Sequence, residues 1–269
     1  MIKDITFGQY FKTDSIIHRL DPRLKTVLLI AFVVMLFICK SFLTLGVFAA
    51  LTLTVIFLSK VPISIYLKNL KVIIPIIILT SVLNLFYTKD GLQIILFANV
   101  SIYTGGIHKA IFMALRILIL IVVSSILTYT TTPNEITDAI ERLLSPLKYV
   151  KLENAVHTVA MMMTIALRFI PTLIDETDKI MNAQKARGAD LESGSIVRRI
   201  KALIPILIPL LISSVRRAYD LAEAMECRSY NGGKGRTRMK QLKLKRADYI
   251  SLGVTVLIFA SIIVLDILF

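Results

Sequence analysis

Residues 110–128 read AIFMALRILILIVVSSILT, and Arg116 is the one charged side chain among these 19 residues. As an α-helix this run is about 28 Å long, at 1.5 Å per residue, which matches a bilayer hydrocarbon core of roughly 30 Å. The whole chain shares this character, since 56% of its 269 residues are hydrophobic and its mean hydropathy is +0.75. Soluble domains are rarely more than half apolar. We therefore predict an all-α membrane protein with about five spanning helices.

The predicted spans divide the chain into three regions. They lie between Lys25 and Lys40 and at Phe42–Leu58, Val72–Tyr87, Ala110–Thr128 and Tyr249–Phe269. The first has only 14 residues, so its flanking lysines are expected to snorkel to the bilayer surface. The short apolar segment Leu92–Tyr103 is either a surface hairpin or a re-entrant piece. We assign 1–130 to an N-terminal cytoplasmic segment with four spans, 131–246 to a cytoplasmic or interfacial domain of long amphipathic helices, and 247–269 to the last span.

The distribution of basic residues predicts the orientation of the chain. Its formal net charge is +14, which in a soluble protein would favour a nucleic-acid partner. With the amino terminus inside, residues 1–26, 59–71 and 130–246 face the cytoplasm and hold 28 of the 32 lysines and arginines. This bias follows the positive-inside rule. We therefore expect basic cytoplasmic loops rather than a nucleic-acid surface, with the amino terminus inside and the carboxyl terminus outside.

Residues 131–246 contain one short and two long helix patterns. Thr132-Pro133-Asn134-Glu135 is typical of a capping box that begins the short helix. The long patterns run from about Glu153 to Arg187 and from about Ser195 to Arg228, and their apolar stretches have only 12 and 11 residues. Such stretches are shorter than a span, and Arg168 at mid-bilayer would cost roughly 2.5–3.5 kcal/mol. We therefore prefer two helices lying flat under the membrane to two further spans. Acidic residues of the first are expected to pair with Lys179 and with basic residues of the second; they are Asp175, Glu176 and Asp178.

A short pattern ends both long helices. It reads Ala183-Gln184-Lys185-Ala186-Arg187-Gly188 in the first and Ala224-Met225-Glu226-Cys227-Arg228-Ser229 in the second. Arginine at a helix C-terminus satisfies free carbonyls and the negative end of the dipole, and glycine suits the left-handed residue that ends a helix. An arginine there also presents a planar fork to a partner carboxylate. The residues alone leave two interpretations open, an ordinary helix stop and a docking device.

Together these motifs resemble those of the transmembrane (T) component of energy-coupling factor transporters, which are ATP-driven importers of prokaryotes. The resemblance covers most of the chain and is carried by 18–25 (HRLDPRLK), 127–133 (LTYTTTP), 166–173 (ALRFIPTL), 181–188 (MNAQKARG) and 224–233 (AMECRSYNGG). In this family two Ala-Arg-Gly triplets end crossed coupling helices, and each arginine docks on one of two ABC-type ATPase subunits. The resemblance implies that Ala186-Arg187-Gly188 meets one ATPase and Cys227-Arg228-Ser229 the other.

The same resemblance implies a scaffold and lever in a prokaryotic cell membrane, not an enzyme. The coupling helices would pass ATPase movement to a separate substrate-binding membrane subunit, which takes up a vitamin or another micronutrient. The version that serves exchangeable substrate subunits is the more similar one. Asp21-Pro22-Arg23 is expected to brace the first span, and Arg168 and Pro171 to have structural or coupling roles. Because Cys227 and Ser229 replace alanine and glycine, the second helix stop is expected either there or at Asn231-Gly232-Gly233.

Other function classes have less support in the sequence. The three histidines show no metal-ligand spacing, and no catalytic constellation accompanies them. Gly232-Gly233-Lys234-Gly235 lacks the upstream glycine and the following Ser or Thr of a phosphate loop. We expect no cofactor, no metal and no nucleic-acid partner. The alternative is a self-sufficient secondary transporter, supported only by Arg116 inside a span; that arginine is expected to snorkel or to meet a carboxylate.

Overall fold

The computed structural model describes residues 10–88, 90–91, 93–97, 100–145, 153–189, 195–231 and 244–268. The chain divides into two compact units. The bundle unit comprises residues 8–139 and 240–269. The arm unit comprises residues 1–7 and 140–239.

Eight helices and one hairpin are found in the described residues. In chain order they are α1 (Pro22–Ile38), α2 (Phe42–Ser59), α3 (Ile63–Tyr87), β1 (Gln93–Phe97), β2 (Val100–Tyr103), α4 (Thr104–Thr130), α5 (Pro133–Leu143), α6 (Glu153–Ala186), α7 (Ile196–Glu226) and α8 (Arg246–Leu268). The strands pair antiparallel, so the segment predicted as a hairpin or a re-entrant piece is a hairpin. Helices α6 and α7 belong to the arm unit, and α5 begins in the bundle unit and ends in the arm unit.

Five helices of the described part are long and apolar enough to cross a membrane, namely α2, α3, α4, α6 from Ala155 onward, and α8. The prediction of an all-α membrane protein with about five such helices is confirmed. The five helices differ from the five predicted spans in one member. Helix α1, with 17 residues, is not among them, and α6 takes its place with a mean hydropathy of 1.4. The sequence analysis ended the apolar stretch of this helix at Arg168 but predicted the helix itself from about Glu153 to Arg187, and α6 runs from Glu153 to Ala186. That α6 and α7 lie flat beneath the membrane stays a prediction.

Helix α3 extends beyond the apolar run that was predicted as a span. Helix α3 begins at Ile63, not near Val72, and includes the exposed Lys68 and Lys71. Charge limits how much of a helix can enter hydrocarbon, but it does not end the backbone hydrogen bonding of the helix.

Two apolar clusters hold the bundle unit together. In the first, Phe32 of α1 and Phe48 of α2 pack edge to face with ring centroids 4.9 Å apart, an arrangement that the aromatic quadrupole favours. The other buried members of this cluster come from α1 and its C-cap residue, α2, α4 and α8 and are Leu36, Cys39, Leu45, Ile119 and Ile262. The second cluster joins α3 to α4, where the rings of Tyr66 and Tyr129 lie 5.2 Å apart.

Glycine allows α3 and α4 to approach closely near the hairpin. A Cβ added at Gly106 of α4 would lie only 2.9 Å from the carbonyl oxygen of Leu85 on α3. Small residues at such positions let helix backbones pack tightly in membrane proteins.

Charged side chains of α4 and α8 hold the corner between α1 and α2. Arg116 Nη2 donates a hydrogen bond to the Cys39 carbonyl at the end of α1. Asp266 Oδ1 accepts from the Lys40 and Ser41 amides, at 3.1 and 3.2 Å, where α2 begins. Arg116 thus binds the negative C-terminal end of α1, and Asp266 binds the positive N-terminal end of α2. Arg116 is 9% exposed and has no carboxylate partner among the described residues, so both predictions made for it were wrong.

The predicted capping box at the start of α5 is confirmed. The Thr132 amide donates to Glu135 Oε2, and the Glu135 amide donates to Thr132 Oγ1, both at 3.3 Å. Pro133 is the first residue of the helix, where a missing amide hydrogen costs nothing. The sequence located this helix start because every group involved lies within four residues.

Candidate docking site at two helix tips

The first tip, Ala186-Arg187-Gly188, ends α6 in a Schellman motif. The Gly188 and Ala189 amides donate to the carbonyls three and five residues earlier, both at 3.0 Å. Gly188 has a φ of 82°, the left-handed conformation that glycine adopts without a Cβ penalty. Arg187 is therefore the last residue before the chain reverses, and its side chain is exposed.

The second tip, Cys227-Arg228-Ser229, ends α7 in the same way. The Ser229 and Tyr230 amides donate to the carbonyls three and five residues earlier, at 2.8 and 3.1 Å. Ser229 has a φ of 55° and so takes the part that Gly188 plays in the first tip. The helix stop that the sequence left open therefore lies at Ser229 and not at Asn231-Gly232-Gly233, of which the two glycines lie outside the described residues.

Both arginines are available to a partner. Within the described part of the chain, neither Arg187 nor Arg228 has a side-chain hydrogen bond or ion pair, and both are exposed. Ala186 and Cys227, which precede them, are exposed as well. The caps use only backbone groups, so each guanidinium keeps all five of its donors.

We expect Ser229→Gly to stabilise the end of α7, because a left-handed residue with a Cβ costs about 1–2 kcal/mol that glycine avoids. The matched opposite change, Gly188→Ser, should weaken the end of α6 by a similar amount. No clash would contribute there, since a Cβ at Gly188 meets no atom within 4 Å. Amide hydrogen exchange in the last turn of each helix measures both effects. Equal protection in all three proteins would contradict the expectation.

Two contacts establish the relative direction of α6 and α7 within the arm unit. Glu176 of α6 forms an ion pair with Arg217 of α7, which confirms the predicted pairing with the second long helix for Glu176 alone. Thirteen residues after Arg217, the Tyr230 hydroxyl donates to Met161 Sδ at 3.0 Å, and Met161 precedes Glu176 by fifteen residues. The two helices therefore run in opposite directions, and their tips lie on opposite sides of the ion pair.

The tips are equivalent with respect to this ion pair. Glu176 precedes Arg187 by eleven residues, and Arg217 precedes Arg228 by eleven. At 1.5 Å per residue, each arginine lies ~16 Å from the ion pair along its helix, so the tips are on the order of 30 Å apart. Two like cationic ends at this spacing suit a partner that offers two separate acidic surfaces.

The other predicted residues of α6 have no such arrangement. Arg168 and Pro171 are both exposed. The helix continues through Pro171, although proline removes one helical hydrogen bond. Arg168 has no polar partner among the residues that the structure describes. Structural or coupling roles for these two residues stay predictions.

A histidine that the sequence interpretation set aside joins α5 to α6. His157 Nδ1 lies 2.7 Å from Glu141 Oε1, and both residues belong to the arm unit. The spacing in the chain carried no signal for this pair. The described ranges contain no group of three or more His, Cys, Asp or Glu placed to hold a metal ion.

Asp21-Pro22-Arg23 begins α1 in the bundle unit. Asp21 is the N-cap and accepts from the Arg23 amide at 2.9 Å, and Pro22 is the first helical residue, as N-terminal preferences favour. The Asp21 amide donates to Asp248 Oδ1 at 2.9 Å, and the other oxygen of that carboxylate accepts from the Lys245 amide at 2.6 Å. Asp248, which is 2% exposed, thus links the starts of α1 and α8; sequence reasoning missed it. Bracing of the first span against the coupling helices stays a prediction.

Lys25 is a buried cation at the same end of the bundle unit. It is 8% exposed, and its Nζ donates to the Thr130 carbonyl at 3.0 Å, the His18 carbonyl at 3.3 Å and the Thr131 hydroxyl at 3.4 Å. The prediction that Lys25 snorkels was wrong, because its buried ammonium group is bound within the bundle by these three acceptors, one of which is a free carbonyl at the end of α4. No local signal pointed to this contact, since Thr130 is 105 residues away in the chain.

Known proteins similar to this chain are membrane components of transporters. A model of the cobalt transport protein family (CbiQ) matches residues 13–239. A protein of Ruminiclostridium cellulolyticum named energy-coupling factor transporter transmembrane protein EcfT is 48% identical over 272 residues, covering 100% of both chains. Proteins with the same name from Clostridium kluyveri and Bacillus subtilis are 52% and 43% identical over 266 and 263 residues, covering 98% of this chain and 97% and 98% of theirs.

Proposed function

The chain belongs to the family of energy-coupling factor transporter transmembrane proteins, and from this membership we propose that its two tips are the docking points for two ABC-type ATPase subunits. It is a multi-pass membrane protein and the transmembrane scaffold of an importer that contains other subunits. The comparisons do not favour a self-sufficient secondary transporter.

One observation carries the proposal: two exposed arginines end two oppositely directed helices in the same Schellman motif. A guanidinium at such a position is always charged and presents a planar fork. Paired with a carboxylate in a partner groove, it forms a charge-assisted hydrogen bond about twice as strong as a neutral one. The identical backbone of the two caps supports two similar grooves, one on each ATPase.

The proposed mechanism makes this chain a lever between separate subunits. The ATPases close on ATP and separate after hydrolysis, and each carries one tip with it. Helices α6 and α7 pass that movement to a substrate-binding membrane subunit, which releases a vitamin or another micronutrient inside. The chain itself has no catalytic role in this scheme. The tips must then lie in the cytoplasm, where ATP is, which agrees with the expected inside position of the amino terminus and the basic charge of residues 130–246.

Affinity purification in mild detergent tests the proposal. We expect the tagged chain, extracted from cells that make its natural partners, to elute with two ATPases and one small hydrophobic membrane subunit. A tagged multi-span protein of an unrelated family serves as the control for carry-over. Purification without any ATPase, together with nucleotide-independent uptake by the chain alone in liposomes, would overturn the proposal in favour of a secondary transporter.

A further inference from the structure

We propose that the Glu176–Arg217 ion pair is the pivot of the arm unit, which holds the spacing of the two tips and passes the movement of one tip to the other. The inference rests on the docking function proposed above. It assigns a positioning role to two residues in the middle of the helices. Neither tip arginine can fill this role, because each lies at the end of its helix.

The ion pair lies at the same distance from the tip arginine in both helices, and this distance is the length of the arm on each side. Each partner lies eleven residues before the arginine of its own tip, and the tips extend in opposite directions from it. A rotation of about 10° around this point moves each tip ~3 Å, in opposite senses, because each arm is ~16 Å long. A joint placed elsewhere along the helices would divide the movement unequally between two ATPases.

Burial and the surroundings of the pair support a mechanical role. The side chains of Glu176 and Arg217 are 21% and 30% exposed, whereas the adjacent Asp175 and Arg216 are exposed. A partly buried pair is screened less by salt than an exposed one. Leu207 and Leu211 of α7 remain 60% and 66% exposed, so the apolar stripe of this helix is not covered within the unit. Among the described residues, Glu176 and Arg217 form the ion pair that joins α6 to α7.

Charge reversal tests the pivot in the complete transporter. Glu176→Arg or Arg217→Glu alone places like charges together, and the two combined restore an opposite pair. We expect each single variant to retain its ATPases but to lose about five-fold or more in substrate taken up per ATP hydrolysed, and the combined variant to recover to within about two-fold. Asp175→Arg and Arg216→Glu, which reverse exposed neighbouring charges, should behave as the unaltered chain.

A distance measurement gives a readout that is independent of transport. Spin labels at Ala183→Cys and Ala224→Cys, both exposed and each four residues before its tip arginine, report the tip spacing when Cys227 is replaced by alanine. The distance distribution should be narrow in the unaltered chain and in the combined variant, which both have an opposite charge pair. It should be broad in each single reversal. Failure of the combined variant to recover both uptake and a narrow distribution overturns the pivot. Absence of ATPases from the unaltered complex would instead refute the docking function.

Discussion

Replacing both tip arginines, Arg187→Ala together with Arg228→Ala, is expected to abolish ATPase attachment to this chain. Truncating one partner of a buried charge pair typically costs about 2–5 kcal/mol, which is at least roughly 30-fold in Kd. With both arginines truncated, neither contact remains to hold the ATPases. Each single variant should bind more weakly, since losing one tip also removes the gain from two linked contacts. Co-purification of the ATPases from membranes, at low and at high salt, measures the effect.

The controls for this experiment distinguish specific docking through the tip arginines from a general effect of lost positive charge. Arg216→Ala removes an exposed arginine from the same helix and should leave co-purification unchanged. Arg187→Lys keeps the charge but loses the planar fork, so an intermediate loss is expected. The caps depend on backbone amides only, so helix content measured by circular dichroism should be the same in all variants. Full co-purification with the double variant at high salt would refute docking through the arginines.

Lys25→Met is expected to give the largest loss of stability in the bundle unit. The substitution keeps the length of the side chain but leaves three acceptors, the Thr130 and His18 carbonyls and the Thr131 hydroxyl, without their donor. Each buried group left unsatisfied costs about 1–3 kcal/mol, so we expect a loss of about 3 kcal/mol or more. The carboxylates of Glu135, Asp248 and Asp21 also interact with this ammonium group, and they would lose their nearby cation.

Thermal unfolding followed by circular dichroism at the helical band suits this test, because the chain contains no tryptophan. The melting temperature of Lys25→Met should fall by on the order of 5–10 °C. Lys68→Met is the matched control, because Lys68 is exposed on α3 and its loss should change the melting temperature little. Equal melting temperatures for the two variants would contradict the structural role of Lys25.

Local patterns in the sequence were enough for most helices and for both tips. The 19-residue run at 110–128 and the other apolar runs predicted an all-α membrane protein. The capping box at Thr132 and the stop at Gly188 depend on residues within one turn, so their spacing predicted them. The helix stop at Ser229 was harder to locate, because a serine with φ of 55° is not expected from residue preference.

What only the tertiary structure decided is which distant groups meet. The apolar pattern placed Arg116 and Lys25 in or beside spans, but not against the Cys39 and Thr130 carbonyls that bind them. Asp248 contacts the amide of a residue 227 positions earlier, and Glu176 was matched to the second long helix but not to Arg217 in particular. The physical reason is that hydrophobic periodicity orients a helix face without specifying its neighbour. A buried charge must find a complementary group wherever packing brings one within reach, and only the assembled fold determines that group.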